Sequence, residues 1–108
     1  MDLKHNAMYE IRFKGAKAKK DFKLLLKKYS KNIKKRLRYT LENNPYPSST
    51  HGTNLNKVEK KGQLYCYPMS GGDRILFDII ELENNQKVIL IHYSGNDDGE
   101  IRYLRRHS

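Results

Sequence analysis

The chain has a single cysteine, Cys66, and no tryptophan among its 108 residues. One cysteine excludes an intrachain disulfide, which agrees with a reducing cytoplasm. The cysteine and the four scattered histidines have no metal-ligand spacing, so we expect neither a metal site nor a cofactor. Cys66 lies among tyrosines in a predicted strand, which favours a small buried hydrophobic role over a reactive thiol.

Long hydrophobic runs and acidic residues are also scarce. No apolar segment approaches the roughly 20 residues that span a bilayer, and the residues after Met1 lack the apolar core of a signal peptide. We therefore expect a cytoplasmic protein with no membrane partner. The 22 basic residues exceed the 12 acidic ones and leave a formal charge of +10. This excess predicts a polyanionic partner, because basic side chains gain affinity by releasing counterions from phosphates.

The length predicts one domain, over residues 1–108 with a core from 8 to 103. Alternation of apolar and charged residues predicts a half-buried strand from Tyr9 to Phe13. Two amphipathic, very basic helices follow, the second with Ser30 as its N-cap. Because their connection is short, we expect an antiparallel helical hairpin that ends before Pro45.

The second half of the chain is predicted to consist mainly of strands. Residues 48–62 are polar and are interpreted as a loop, and three strands follow over residues 63–69, 74–81 and 87–94, separated by turns. The polar tail from Gly95 is assigned no element. The predicted class is α+β, with an N-terminal strand, a helical hairpin and then a curved antiparallel sheet of three further strands.

The segment from Leu64 to Ile79 carries a glycine turn, then Arg74, then an alternating aliphatic and aromatic strand. With the element order, the last hydrophobic strand and Tyr103, it resembles the RelE/ParE superfamily of toxins from toxin–antitoxin systems. The resemblance extends from Tyr9 to Tyr103. It implies a curved sheet with a basic concave face, helices on the other side and an antitoxin partner. In the RelE-like branch it also implies ribosome-dependent cleavage of mRNA.

Metal-free RNA cleavage needs a base for the ribose 2′-hydroxyl, positive charge at the phosphate and an acid for the leaving 5′-oxygen. Arg74 matches the family arginine, whose planar guanidinium would clamp the phosphate. An ordinary ion pair with Asp73 or Asp78 is the alternative. Tyr103 matches the family's C-terminal tyrosine, for which base stacking or proton transfer is implied, and simple packing is the alternative.

Tyr65 and Tyr67 occupy positions where the best-studied branch has lysines. Alternation places both on one side of their strand, where they either stack on RNA bases or pack. Lys57, Lys60 and Lys61 would then replace the missing lysines, or they form a solvated surface. All five are candidates for RNA binding.

After the last strand the chain reads Asn96-Asp97-Asp98, where related toxins often carry a histidine or arginine. His92, in the last strand, and His51, in the predicted loop, are the substitutes for a general base. Each is also explained as an ordinary hydrogen-bonded histidine. The helical lysines are expected to dock on ribosomal RNA through phosphate contacts.

The resemblance, together with the positive charge and Arg74, implies the toxin of a type II toxin–antitoxin system. We expect a metal-independent endoribonuclease that cleaves mRNA at the ribosome and is neutralised by an acidic antitoxin. The alternative is a ParE-like inhibitor of DNA gyrase, which the missing lysines and the missing late histidine favour. A third interpretation is a non-catalytic relative that binds RNA or an antitoxin.

Overall fold

The computed structural model describes residues 8–47 and 57–106. The strands are β1 (Glu10–Phe13), β2 (Glu59–Lys61), β3 (Leu64–Pro68), β4 (Asp73–Glu81) and β5 (Lys87–Asn96). The α-helices are α1 (Ala16–Leu26), α2 (Lys31–Asn43) and α3 (Asp97–Arg106). The predicted α+β class is confirmed. None of the helices in the described residues is long and apolar enough to cross a bilayer.

The five strands form one mixed sheet in the order β1-β5-β4-β3-β2. β3, β4 and β5 pair antiparallel, as predicted. The sheet as a whole is mixed, because β1, for which no pairing was predicted, pairs in parallel with β5, from Glu10 opposite Val88 to Phe13 opposite Ile91. Hairpin turns force neighbouring strands to be antiparallel, but β1 and β5 are distant in sequence and no such turn connects them.

The segment interpreted as a loop ends in a strand. β2 pairs antiparallel with β3, with Glu59 opposite Cys66, and Gly62 adopts a positive φ of 62° in the turn between the two strands. β2 is a short, charged edge strand, so it has no apolar alternation by which it could be predicted. The rest of the predicted loop, residues 48–56 with His51, lies outside the described residues.

Most of the tail that was assigned no element forms the helix α3, from Asp97 to Arg106. The side chain of Asn96 caps it, because the backbone N–H of Gly99 donates to Oδ1 of Asn96 at 2.9 Å. Asp97 and Asp98 lie in the first turn, and two arginines lie in the last. The negative charges at the start and the positive charges at the end interact favourably with the helix dipole and so stabilise the helix.

The sheet buries a different hydrophobic cluster on each face. Along β4, Ile75 and Phe77 pack with Leu37 of α2 in the larger cluster, to which α1 also contributes. Leu76 points the other way and packs with Leu104 of α3. This explains why the central strands are apolar on both faces. The predicted cover of one face by the helices α1 and α2 is confirmed, and α3 covers part of the opposite face, which the resemblance implied to be basic and concave.

Candidate functional site

A β-bulge in β5 brings two neighbouring side chains to the face covered by α3. The pairing of β4 with β5 shifts between Leu76, which lies opposite Tyr93, and Phe77, so that His92 is the extra residue of the ladder. The rings of His92 and Tyr93 both contact the ring of Tyr103 in α3. In a regular strand, consecutive side chains would point to opposite faces.

His92 and Tyr103 form a hydrogen-bonded pair between β5 and α3. Nδ1 of His92 lies 2.8 Å from the hydroxyl oxygen of Tyr103, and the two rings meet edge to face. Burial raises the pKa of Tyr103, so its phenol is protonated at neutral pH. The hydroxyl either donates to Nδ1 or accepts from it, depending on the imidazole tautomer. The pair is therefore suited to move a proton along this hydrogen bond.

Tyr93 determines where α3 begins. Its hydroxyl donates to the backbone carbonyl of Asn96 at 2.8 Å. Its ring lies against Gly95 and Gly99: a Cβ on Gly95 would be 2.5 Å from the Tyr93 hydroxyl oxygen, and one on Gly99 would overlap it. Because Tyr103 follows Gly99 by about one helical turn, this contact positions the Tyr103 hydroxyl relative to His92.

A cleft of about 490 Å³ opens beside this pair, between the start of α1, β5 and α3. Its lining includes both His92 and Tyr103, together with four basic residues: Lys14, Lys17, Arg102 and Arg106. Among the described lining residues Asp21 is the only acidic one, and it forms an ion pair with Lys17 at 2.9 Å. The cleft thus carries excess positive charge and attracts anions such as phosphate.

Arg74 lies on the α3 side of the sheet but does not line this cleft. Its Nε is 3.9 Å from Oε1 of Glu100 in α3, and its Nη1 donates to the backbone carbonyl of Asp73 at 3.0 Å. The side chain of Asp73 accepts a hydrogen bond from another residue, Tyr29. An ion pair of Arg74 therefore exists, but its partner is neither of the two aspartates considered from the sequence.

Sequence reasoning missed Glu100. Its side chain is only 7% exposed, and Oε2 is a buried atom with no hydrogen-bond partner among the described residues. Burial, and next the neighbouring Glu100 side chain, raise the pKa of the Cys66 thiol, which is therefore protonated and unreactive. The cap at Asn96 and the apolar Leu104 were a signal for the helix, but no pattern marks a carboxylate that becomes buried.

Tyr65 and Tyr67 share one side of β3, as alternation predicted, but this side faces α1 and α2. Arg74 and His92 contact α3, on the other face. Tyr67 is buried, and the ring of Tyr65 stacks on Phe77 with 5.9 Å between ring centres. Of the two roles left open for these tyrosines, the structure shows packing.

The three lysines of the predicted loop are not gathered at the cleft. Nζ of Lys60 lies 4.2 Å from the centre of the Tyr65 ring, a cation–π contact. Lys61 lies 3.6 Å from the carboxylate of Glu59, and Lys57 is exposed before β2. Their positions form a basic edge of the sheet on the side of β2.

No group of three or more His, Cys, Asp or Glu side chains in residues 8–47 and 57–106 is placed to hold a metal ion. The residues that the structure does bring together are His92, Tyr103 and the basic side chains around them. Comparisons of the chain with protein-family models, with curated proteins and with solved structures found no match.

Proposed function

We propose that the protein is the toxin of a type II toxin–antitoxin system, of the RelE-like kind, and that it cleaves mRNA at the ribosome in the cytoplasm. An acidic antitoxin would neutralise it. The observation that carries this proposal is the His92–Tyr103 pair, joined at 2.8 Å in a cleft with four basic side chains. The formal charge of +10 supports the same class of ligand.

The basic side chains would hold the phosphate of the scissile bond. Lys14 and Lys17 approach from the start of α1, whereas Arg102 and Arg106 approach from α3. Positive charge on both sides of a phosphate stabilises the additional negative charge of the pentacoordinate transition state. The lysines on the exposed faces of α1 and α2 would make the non-specific phosphate contacts with ribosomal RNA.

The His92–Tyr103 pair would deliver a proton to the leaving 5′-oxygen. Tyr103 donates its phenol proton to that oxygen and recovers a proton from Nδ1 of an imidazolium at His92, while solvent water accepts the proton of the attacking 2′-hydroxyl and later reprotonates His92. Because the pKa of Tyr103 is raised by burial, a free tyrosinate is disfavoured, and the replacement proton has to arrive together with the transfer. Such general-acid catalysis contributes about 10²- to 10⁴-fold to a rate.

The position of Arg74 favours a second candidate. Its guanidinium is near Glu100 and does not line the cleft, so the family's phosphate clamp is not assembled at the His92–Tyr103 pair. A non-catalytic relative that binds RNA or an antitoxin would have this arrangement. Inhibition of DNA gyrase would likewise need no cleavage.

Induction of the protein alone in a bacterial host, followed by mapping of mRNA 5′ ends, tests these candidates. We expect growth arrest with new 5′ ends inside translated regions, lost in Tyr103→Phe. Tyr39→Phe is the matched control, because Tyr39 is 65% exposed on α2. Arrest without new ends, together with inhibited DNA supercoiling in vitro, would indicate gyrase instead. Absence of any growth effect would indicate the non-catalytic relative.

A further inference from the structure

α3 places a buried carboxylate next to an arginine of the sheet. Glu100 stands in the first turn of α3, and its side chain is 7% exposed, whereas that of Arg74 is 26% exposed. The neighbours of Glu100 include the Cys66 thiol, which belongs to the apolar cluster on this face. The arginine thus remains partly accessible to solvent, while the carboxylate does not.

The contact between Arg74 and Glu100 is long for an ion pair. A distance of 3.9 Å between Nε and Oε1 is beyond hydrogen-bond range, and Oε2 has no hydrogen-bond partner among the described residues. Within the described part of the chain, the guanidinium donates a hydrogen bond to the carbonyl of Asp73. Guanidinium groups bind best when two parallel N–H donors meet two oxygens of a carboxylate or phosphate. Glu100 therefore neutralises Arg74 without satisfying its donors.

We infer that Glu100 masks a second phosphate-binding site centred on Arg74, and that α3 carries this autoinhibitory contact. The ligand class is a chain of phosphates, such as an RNA backbone. In the free protein Arg74 contributes little to binding, because the nearby carboxylate cancels its charge. That RNA is the natural ligand rests on the proposed function. The masking of Arg74 by Glu100 does not depend on it.

Removal of the carboxylate charge is compatible with the fold. A buried ion pair is often no more stabilising than neutral side chains of the same shape, because burial of both charges costs free energy. α3 also retains its other attachments, which are the cap by Asn96, the contact of Tyr93 with Gly99 and the packing of Leu104. We therefore expect Glu100→Gln to fold with α3 in place. Glu100→Met, similar in size and apolar, serves if the glutamine variant does not fold.

The test measures binding as a function of salt concentration, with inorganic polyphosphate and with a single-stranded RNA oligonucleotide as separate probes. The control variant is Asp97→Asn, since Asp97 is an exposed carboxylate in the same turn of α3 and the change in net charge is identical. Each phosphate contact on a single strand adds about 0.7 to the slope of log affinity against log salt. We expect the slope for Glu100→Gln to exceed that for Asp97→Asn by about this amount.

Arg74→Gln shows whether the gain belongs to the arginine. It should abolish the gain in the Glu100→Gln background and leave the salt slope of the otherwise wild-type protein nearly unchanged, although loss of the arginine leaves the buried Glu100 carboxylate unpaired and lowers stability there. Equal slopes for Glu100→Gln and Asp97→Asn would overturn the inference, as would an equal loss from Arg74→Gln in both backgrounds, or no polyphosphate binding by any variant. A gain on polyphosphate without RNA cleavage would uphold the mask and count against the proposed function. RNA cleavage without a gain in the salt slope on polyphosphate would uphold the proposed function and count against the mask.

Discussion

The ring of Tyr93 occupies the space that a side chain at position 99 would need, because a Cβ on Gly99 would overlap the tyrosine hydroxyl. This close approach joins the end of β5 to the start of α3. The same tyrosine also donates to the carbonyl of Asn96, the residue that caps the helix. The start of α3, and with it the position of Tyr103, is therefore held by the contact of the Tyr93 ring with Gly99 together with the cap at Asn96.

Gly99→Ala should destabilise the protein by about 1–3 kcal/mol, because the added methyl forces Tyr93 or α3 to move. Gly15→Ser is the control, since a Cβ there has nothing within 4 Å and serine is a good helix N-cap. We expect it to change stability by less than about 0.5 kcal/mol. Urea unfolding measures both. Equal stability of the two variants would show that Tyr93 does not hold α3.

His92 and Tyr103 should behave as one unit in RNA cleavage. We expect His92→Asn and Tyr103→Phe each to reduce cleavage by about 10²- to 10⁴-fold, and the double variant to lose no more than the worse single variant. Lys17→Gln combined with Tyr103→Phe is the control, because phosphate binding and proton transfer are separate contributions that add in free energy. Rates on RNA in a translation mixture provide the measurement. Additive losses from the histidine and tyrosine variants would contradict a proton relay.

The arginines of the cleft should set the salt dependence of RNA binding. Arg102→Gln and Arg106→Gln should each lower the slope of log affinity against log salt by about 0.7 for a short single strand. Both side chains are exposed, so the free energy of unfolding should change little. Lys35→Gln on α2 makes the same charge change away from the cleft. An equal effect of Lys35→Gln would show that binding follows net charge and not the cleft.

The stability of the protein should decline in alkaline solution because of Tyr29. Burial, followed by its hydrogen bond to Asp73 and the charge of that carboxylate, raises the pKa of Tyr29 from 10.0 to about 12. A raised pKa means that the folded state retains a proton that the unfolded state loses. The stabilisation is therefore complete below pH 10 and is lost as the pH rises towards 12.

Urea unfolding at a series of pH values, together with tyrosinate absorbance, checks this dependence. Tyr29→Phe should be less stable near neutral pH, because it lacks the hydroxyl that donates to Asp73 or to the carbonyl of Ser70, each 2.6 Å away. It should also decline less steeply between pH 10 and 12. Tyr39→Phe, at an exposed position, should follow the wild type. A Tyr29→Phe curve parallel to the wild-type curve would exclude Tyr29 as the cause.

Local periodicity was sufficient for most of the elements. The strand predicted over 74–81 is observed as Asp73–Glu81, and α2 begins after the predicted cap at Ser30, whose side chain accepts from the N–H of Ile33. These elements bury apolar faces at regular intervals, so the pattern is visible in the sequence. β2 and α3 were missed because one is a charged edge strand and the other contains a glycine and few apolar residues.

The candidate site was predictable only as a set of residues. Arg74, His92 and Tyr103 were chosen from chemistry and resemblance, and two of the three meet in the structure. The bulge that turns His92 towards Tyr103 is a property of strand register, which no local pattern contains. The ion pair of Arg74 with Glu100 depends on the docking of a helix that was not predicted at all.

The amino-acid sequence alone determines the net charge, which depends on composition, and also the α+β class and the pairing of the central hairpins, which depend on contacts between neighbours in sequence. It also decides that Tyr65 and Tyr67 share one side of β3, since side chains alternate along a strand. Only tertiary packing decides which layer covers that side, whether β1 is parallel to β5 and which carboxylate reaches Arg74. Each of these three features depends on contacts between segments that are distant in sequence. Such contacts form only when the whole core packs together.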